Sequence, residues 1–121
     1  MSLSDEQWEF LQDFGKLIKW CADSGYKITA GELYRTLDQQ QIYVDKGLSW
    51  TLDSYHMKRL AADVNLFVDG VYVGDLSHQE QEVAYKPLGD YWEYLNPKNK
   101  WGVGGTTGAP DKDFNHFERR V

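Results

Sequence analysis

SYHMKRLAADVNLFVDGVYVGDL, residues 54–76, contains the alternation that sets the architecture. Asp63, Asn65 and Phe67 alternate with Val64, Leu66 and Val68, the period of two expected of a strand with one packed face and one face turned to a cleft. Asp69-Gly70 separates this run from a second alternating one, which predicts a β-hairpin. Asp63 is therefore expected on an antiparallel sheet, its carboxylate projecting into the cleft.

Outward from this strand lie His56 and, much later, the run DFNHFE at residues 113–118. Together they hold two of the three histidines and a dense set of carboxylates, the composition of a metal site. Zinc takes imidazole nitrogen and carboxylate oxygen, and a catalytic zinc keeps three protein ligands with a fourth position for water. His56, Asp63 and His116 supply two neutral nitrogens and one negative oxygen, leaving residual positive charge to acidify that water to a pKa of about 7. Asp113, three residues before His116, is the candidate base. His116 and Glu118 share one face of a terminal strand, so Glu118 is placed to fix an imidazole or the base through a hydrogen bond.

Ser54, His56, Ala61 and Asp63 fit the pattern Ser-x-His-x-x-Gly-x-Ala-x-Asp, and Asp113, His116, Phe117 and Glu118 fit an acid three residues before a histidine followed by Phe-Glu. In both, and in their order and separation, the chain resembles the zinc D-alanyl-D-alanine carboxypeptidases and the L-alanyl-D-glutamate endopeptidases of bacteriophage lysins, over roughly residues 25–121. Arg59 departs from the pattern, standing where it has Gly, which bears on the local turn or a substrate subsite. The resemblance implies one Zn2+ held by His56, Asp63 and His116, with Asp113 as general base. It implies that Arg35, with Gln39 following, binds the substrate carbonyl or carboxylate, and that Ser54 orients a ligand or substrate. A fixed guanidinium aimed at a developing oxyanion is typically worth a few kcal/mol. The implied activity is hydrolysis of a peptide bond in peptidoglycan stem peptides, endopeptidase and carboxypeptidase forms both being open. The amino-terminal domain of Hedgehog proteins, which resembles the same fold, offers the alternative of a catalytically silent zinc-containing binding module.

The 121 residues suit one metallopeptidase-like domain, 1–121, able to bury about two thirds of its unfolded surface. Its formal net charge of -6 argues against nucleic-acid binding, which needs clustered Lys and Arg. Cys21 is the only cysteine, so no internal disulfide forms. Residues 1–25 predict a helix that packs on the domain: Ser4 with Gln7 as a capping box, then Trp8, Leu11, Phe14, Leu17, Ile18 and Cys21 as a core stripe ending at Ser24-Gly25. No long apolar run interrupts its Asp and Glu residues, so neither a signal peptide nor a membrane span is expected. The expectation is a monomer of cytoplasmic synthesis that acts on the cell wall after release by another route.

Residues 26–36 predict a strand running into a loop, and 37–46 a polar helix stopped by Gly47. Gly47 to Asp53 reads as a loop feeding the first motif. Ser77 and Glu80 form a capping box for a further helix reaching Asn96-Pro97, which Pro87 is expected to kink or divide. His78, in its first turn, matches neither motif and is left out of the site. Residues 98–112 are Gly-rich without Gly-Lys-Ser/Thr, so they read as a wall of the cleft, with Trp101 as an aromatic for substrate. The fold class is α+β: a small domain of helices packed on an antiparallel sheet with a zinc cleft.

Overall fold

Helix α1 spans Leu3–Asp23 and opens earlier than the Ser4–Gln7 pattern predicts. Ser2 has the extended backbone a cap requires; its hydroxyl accepts from the Asp5 N–H, and the Asp5 carboxylate accepts from the Ser2 N–H, both at 3.2 Å. In this computed structural model, which describes residues 1–48, 54–102 and 113–121, the remaining elements follow in order. They are β1 (Lys27–Ala30), α2 (Leu37–Asp45), β2 (Ala61–Val68), β3 (Val71–Tyr72), a 3-10 turn (Val73–Asp75), α3 (His78–Leu95), β4 (Asn99–Trp101) and β5 (His116–Arg119). The chain is thus a small α+β domain of three helices packed on an antiparallel sheet.

The sheet runs β1-β2-β5-β4, with β3 paired to β2 through the hairpin. Asp69 and Gly70 take the two left-handed conformations, φ 52 and 80, that a tight two-residue turn demands. β2 alternates as its sequence predicts: Ala62, Val64 and Leu66 are buried, while Asp63, Asn65 and Phe67 are half-buried. Its register with β5 pairs Ala62 with Phe117 and Asp63 with His116. Cross-strand partners share a face. Ala62 and Phe117 therefore lie on the helix-packed face, and Asp63, His116 and Glu118 on the other.

Helices α1 and α3 cover the first face. Phe10 and Phe14 stack at 6.0 Å, Phe10 meets Trp92 edge-on at 5.5 Å, and Trp92 meets Phe117 edge-on at 6.1 Å. The Tyr85 hydroxyl donates to the Val64 carbonyl at 2.6 Å, so α3 is keyed to β2 itself. Gly89 lets the Trp101 ring lie against the helix: a Cβ there would stand 2.1 Å from it. The helix is continuous across Pro87, against the expected division. Proline removes one donor, whose bond would have run to Val83, and Val83 sits on an exposed stretch where solvent can take its place.

The buried face of α1 also differs from its predicted stripe. Phe14, Leu17 and Cys21 are buried with Phe10, whereas Trp8, Leu11 and Ile18 are exposed. Polar residues take the vacated places, because β5 presents Arg119 to this helix. Arg119 is 1 % exposed and donates to Glu6 at 2.5 Å and to Glu9, with Asp13 at 3.8 Å. Asp13 in turn accepts from Asn99 at 3.1 Å, and Lys98 donates to Glu6 at 2.8 Å. A buried guanidinium persists only when paired in this way.

Candidate metal centre

The first site residues sit on a coil of turns before β2. Met57, Lys58 and Arg59 donate back to Ser54, Tyr55 and His56, and the Leu60 N–H closes the coil on the Tyr55 carbonyl at 3.0 Å. Closure requires a left-handed residue, and Arg59 supplies it at φ 56. The turn is thus kept with Arg in place of Gly, its guanidinium resting 4.1 Å from the Tyr34 ring. Ser54 Oγ accepts from the His56 N–H at 3.2 Å and from Arg35 Nη1 at 3.5 Å. Its hydroxyl joins the histidine's backbone to the arginine.

His56 Nε2 lies 3.2 Å from Asp63 Oδ1, and His116 Nδ1 lies 3.4 Å from the same oxygen. Their ring centroids are 5.1 Å apart. One ligand atom from each of the three residues falls within 4.8 Å of the others, close enough for a single ion. The far nitrogen of His116, Nε2, stands 2.7 Å from Glu118 Oε1, whose second oxygen accepts from Arg120 at 2.8 Å. In the neutral imidazole that a metal would bind, that bond would keep the proton on Nε2 and turn the Nδ1 lone pair toward the cluster. His56 Nδ1 is buried without a partner among the described residues, so only Nε2 engages the cluster. Two borderline nitrogens and one carboxylate oxygen suit a divalent transition metal.

The electrostatics follow from the same contacts. Burial alone would lower the His116 pKa, but hydrogen bonds to Asp63 and Glu118 outweigh it and raise it to about 9. Burial would raise Asp63, yet hydrogen bonds from His116 and His56 hold it well below the usual carboxylate range. Glu118 is likewise depressed, its burial overcome by His116 and Arg120. The imidazole of His116 is thus paired with a carboxylate on each side, Asp63 at Nδ1 and Glu118 at Nε2.

Asp113 is exposed, and its carbonyl accepts from the His116 N–H at 3.0 Å, folding it back toward that ligand. Surrounding protein strips part of its hydration and raises its pKa, and the charges of His116, Asp63, His56 and Arg35 all act on it. Arg35 is held by Glu32 at Nε and by Gln40 Oε1 at 2.7 Å on Nη1, over the Tyr43 ring at 4.6 Å. The glutamine that meets it is therefore Gln40, fully buried, and not Gln39. One helical residue turns the side chain by about 100°, and the Gln39 N–H donates to the Thr36 cap at 3.1 Å.

Trp101 stands away from the cluster. It pairs with Phe117, which puts it on the helix-packed face, and its indole donates to the Phe114 carbonyl at 2.7 Å. On the site face, β4 instead pairs Lys100 with Glu118. His78 lies against Phe114 with centroids 4.6 Å apart. The Gly-rich wall at 103–112 and the end of the loop at 49–53 lie outside the described residues. Sequence reasoning missed Glu32, Gln40 and Tyr43. Gln40 and Tyr43 carry a signal only once the phase of α2 is fixed, and Glu32 only once its carbonyl is tied to the Asp63 N–H.

The chain is thus an α+β domain with helices α1 and α3 on one face of an antiparallel sheet and two imidazoles and a carboxylate converging on the other. A solved structure with this fold is the L-Ala D-Glu endopeptidase ChiX of Serratia marcescens, which matches at a TM-score of 0.56 and 23% identity. The match covers 76% of this chain and 65% of that one, so the chain spans just under two thirds of the length of this neighbour. No family model matches the chain, and no curated protein does.

Proposed function

We propose that the protein is a zinc-dependent peptidase that cleaves a peptide bond in the stem peptides of peptidoglycan. The observation that carries this reading is the convergence of His56, Asp63 and His116 within 4.8 Å, with Asp113 and Arg35 close enough for their charges to interact. The fold of an L-Ala D-Glu endopeptidase supports it and favours the endopeptidase form.

When bound, a zinc ion supplies a Lewis acid that polarises the scissile carbonyl and acidifies water. His56, Asp63 and His116 hold it, and Glu118 fixes the His116 tautomer. Asp113 takes the proton of the attacking water and returns it to the leaving amine, and its raised pKa suits both halves of that exchange. Ser54 keeps the His56 turn in register with Arg35. Arg35 offers Nη2, the one of its nitrogens without a partner among the described residues, to the developing oxyanion.

The test measures bound metal together with new amino termini released from purified peptidoglycan. The parent should bind about one zinc and cut. Asp113→Ala should keep the zinc and lose cutting, and His116→Ala should lose both. A parent without stoichiometric metal overturns the reading.

A further inference from the structure

Arg35 is gripped on three sides, and one residue joins that grip to the metal cluster. The Glu32 carboxylate spans two partners, accepting from Arg35 Nε with one oxygen and from the Tyr43 hydroxyl at 3.0 Å with the other. Its main chain is tied to a candidate metal ligand: the Asp63 N–H donates to the Glu32 carbonyl at 2.9 Å. The neighbouring Gly31 N–H donates to the Asp63 carbonyl at 2.8 Å, where a Cβ would stand only 3.1 Å from Asp63. Glu32 is therefore held at the backbone by the strand that carries Asp63, and its side chain reaches outward to the guanidinium.

We infer that Glu32 is a positioning residue that aims the Arg35 guanidinium at the substrate, an inference that rests on the peptidase reading above. A lone arginine samples many rotamers, and fixing its plane takes more than one contact. Gln40 holds Nη1, the Tyr43 ring sets the plane from one side, and Glu32 fixes Nε. Glu32 is the anionic partner of the three, so its hydrogen bond is the strongest. It also orients the Tyr43 ring through the hydroxyl. With Nε and Nη1 engaged, Nη2 keeps its two N–H groups for a carbonyl or carboxylate oxygen, in a direction referred to Asp63 through a short backbone path.

The test is a double-mutant cycle on the zinc-loaded 121-residue chain with Glu32→Gln, Arg35→Ala and both together. Glu32→Gln should lower kcat by about tenfold to a hundredfold with KM and zinc stoichiometry little changed. In the Arg35→Ala background it should cost nothing further. Glu32→Asp should recover part of the loss. Equal losses in both backgrounds would show Glu32 acting through the fold and overturn the inference. A readout independent of cleavage is the NMR signal of the Arg35 Nε–H, protected in the parent and lost to exchange in Glu32→Ala, which removes the acceptor. Should the parent cut no stem peptide, the peptidase reading falls alone. Persistence of the protected signal in Glu32→Ala then overturns the Glu32 clamp, and its loss upholds it.

Discussion

His116 Nε2 and Glu118 Oε1 lie 2.7 Å apart on alternate residues of β5, so the strand supplies both an imidazole for the cluster and the carboxylate that orients it. Loss of such a partner typically weakens metal affinity about tenfold to a hundredfold. If the cluster binds zinc, Glu118→Ala, which removes the acceptor, is expected to raise the dissociation constant by that factor, read by competition with a chelator. An unchanged constant would mean that the bond does not act through the metal.

The pKa shifts set the pH behaviour of the metal-free protein. His116 is raised from 6.5 to about 9, so its stabilising charge is fully present below 6.5 and is lost as pH rises through about 9. Asp63 is depressed, so its contribution is present above 3.8 and is lost as pH falls toward its folded value. Denaturant midpoints of the metal-free protein should therefore peak at roughly pH 5 to 6.5 and fall toward pH 9. On the proposed zinc reading the ion would displace the His116 proton, so binding at pH 7 should release protons, measurable by calorimetry in buffers of different ionisation enthalpy.

Arg119→Ala takes the buried guanidinium from Glu6 and Asp13, leaving Glu6 with Lys98 and Asp13 with the Asn99 amide. Removing one partner of a buried ion pair costs about 3–5 kcal/mol, and a loss of that size is expected in chemical denaturation. Glu9→Ala should cost much less, since Glu9 is 40% exposed. Equal effects would place the burial of Arg119 in doubt.

Arg59 bears a left-handed backbone at φ 56 that costs a non-glycine residue about 1–2 kcal/mol. Its contact with Tyr34 offsets part of this. Arg59→Gly is expected to change stability by less than about 1 kcal/mol, because relief of strain opposes loss of the contact and the entropy of glycine. Arg59→Val keeps the strain, stiffens χ1 and loses the contact, so its melting temperature should fall clearly below both.

Much of the α+β arrangement was legible, for reasons that particular residues make plain. The alternation from Ala61 to Val68 and the Asp69-Gly70 turn are local signals, and β2 and β3 follow them. Ser77 and Glu80 cap α3 as their spacing predicts. What stayed hidden depends on partners distant in sequence. Glu6 and Asp13 look like the solvent face of α1 until Arg119 of β5 is set against them. Trp8 and Leu11 look like core until that pairing takes their place. Gln39 and Gln40 are indistinguishable by type, and only the phase of α2 decides between them. Trp101 was drawn to the site by its place in a Gly-rich run, but the register of β4 with β5 assigns its face.

β5 divides its four residues between two duties: His116 and Glu118 face the cluster, while Phe117 and Arg119 face the helices. A single-residue insertion or deletion here would exchange the two sets, sending a phenyl ring and a guanidinium toward the cluster and an imidazole and a carboxylate into the interior. Descent can thus vary this strand by substitution, one face at a time, but cannot lengthen or shorten it without forfeiting both the interior and the chemistry at once.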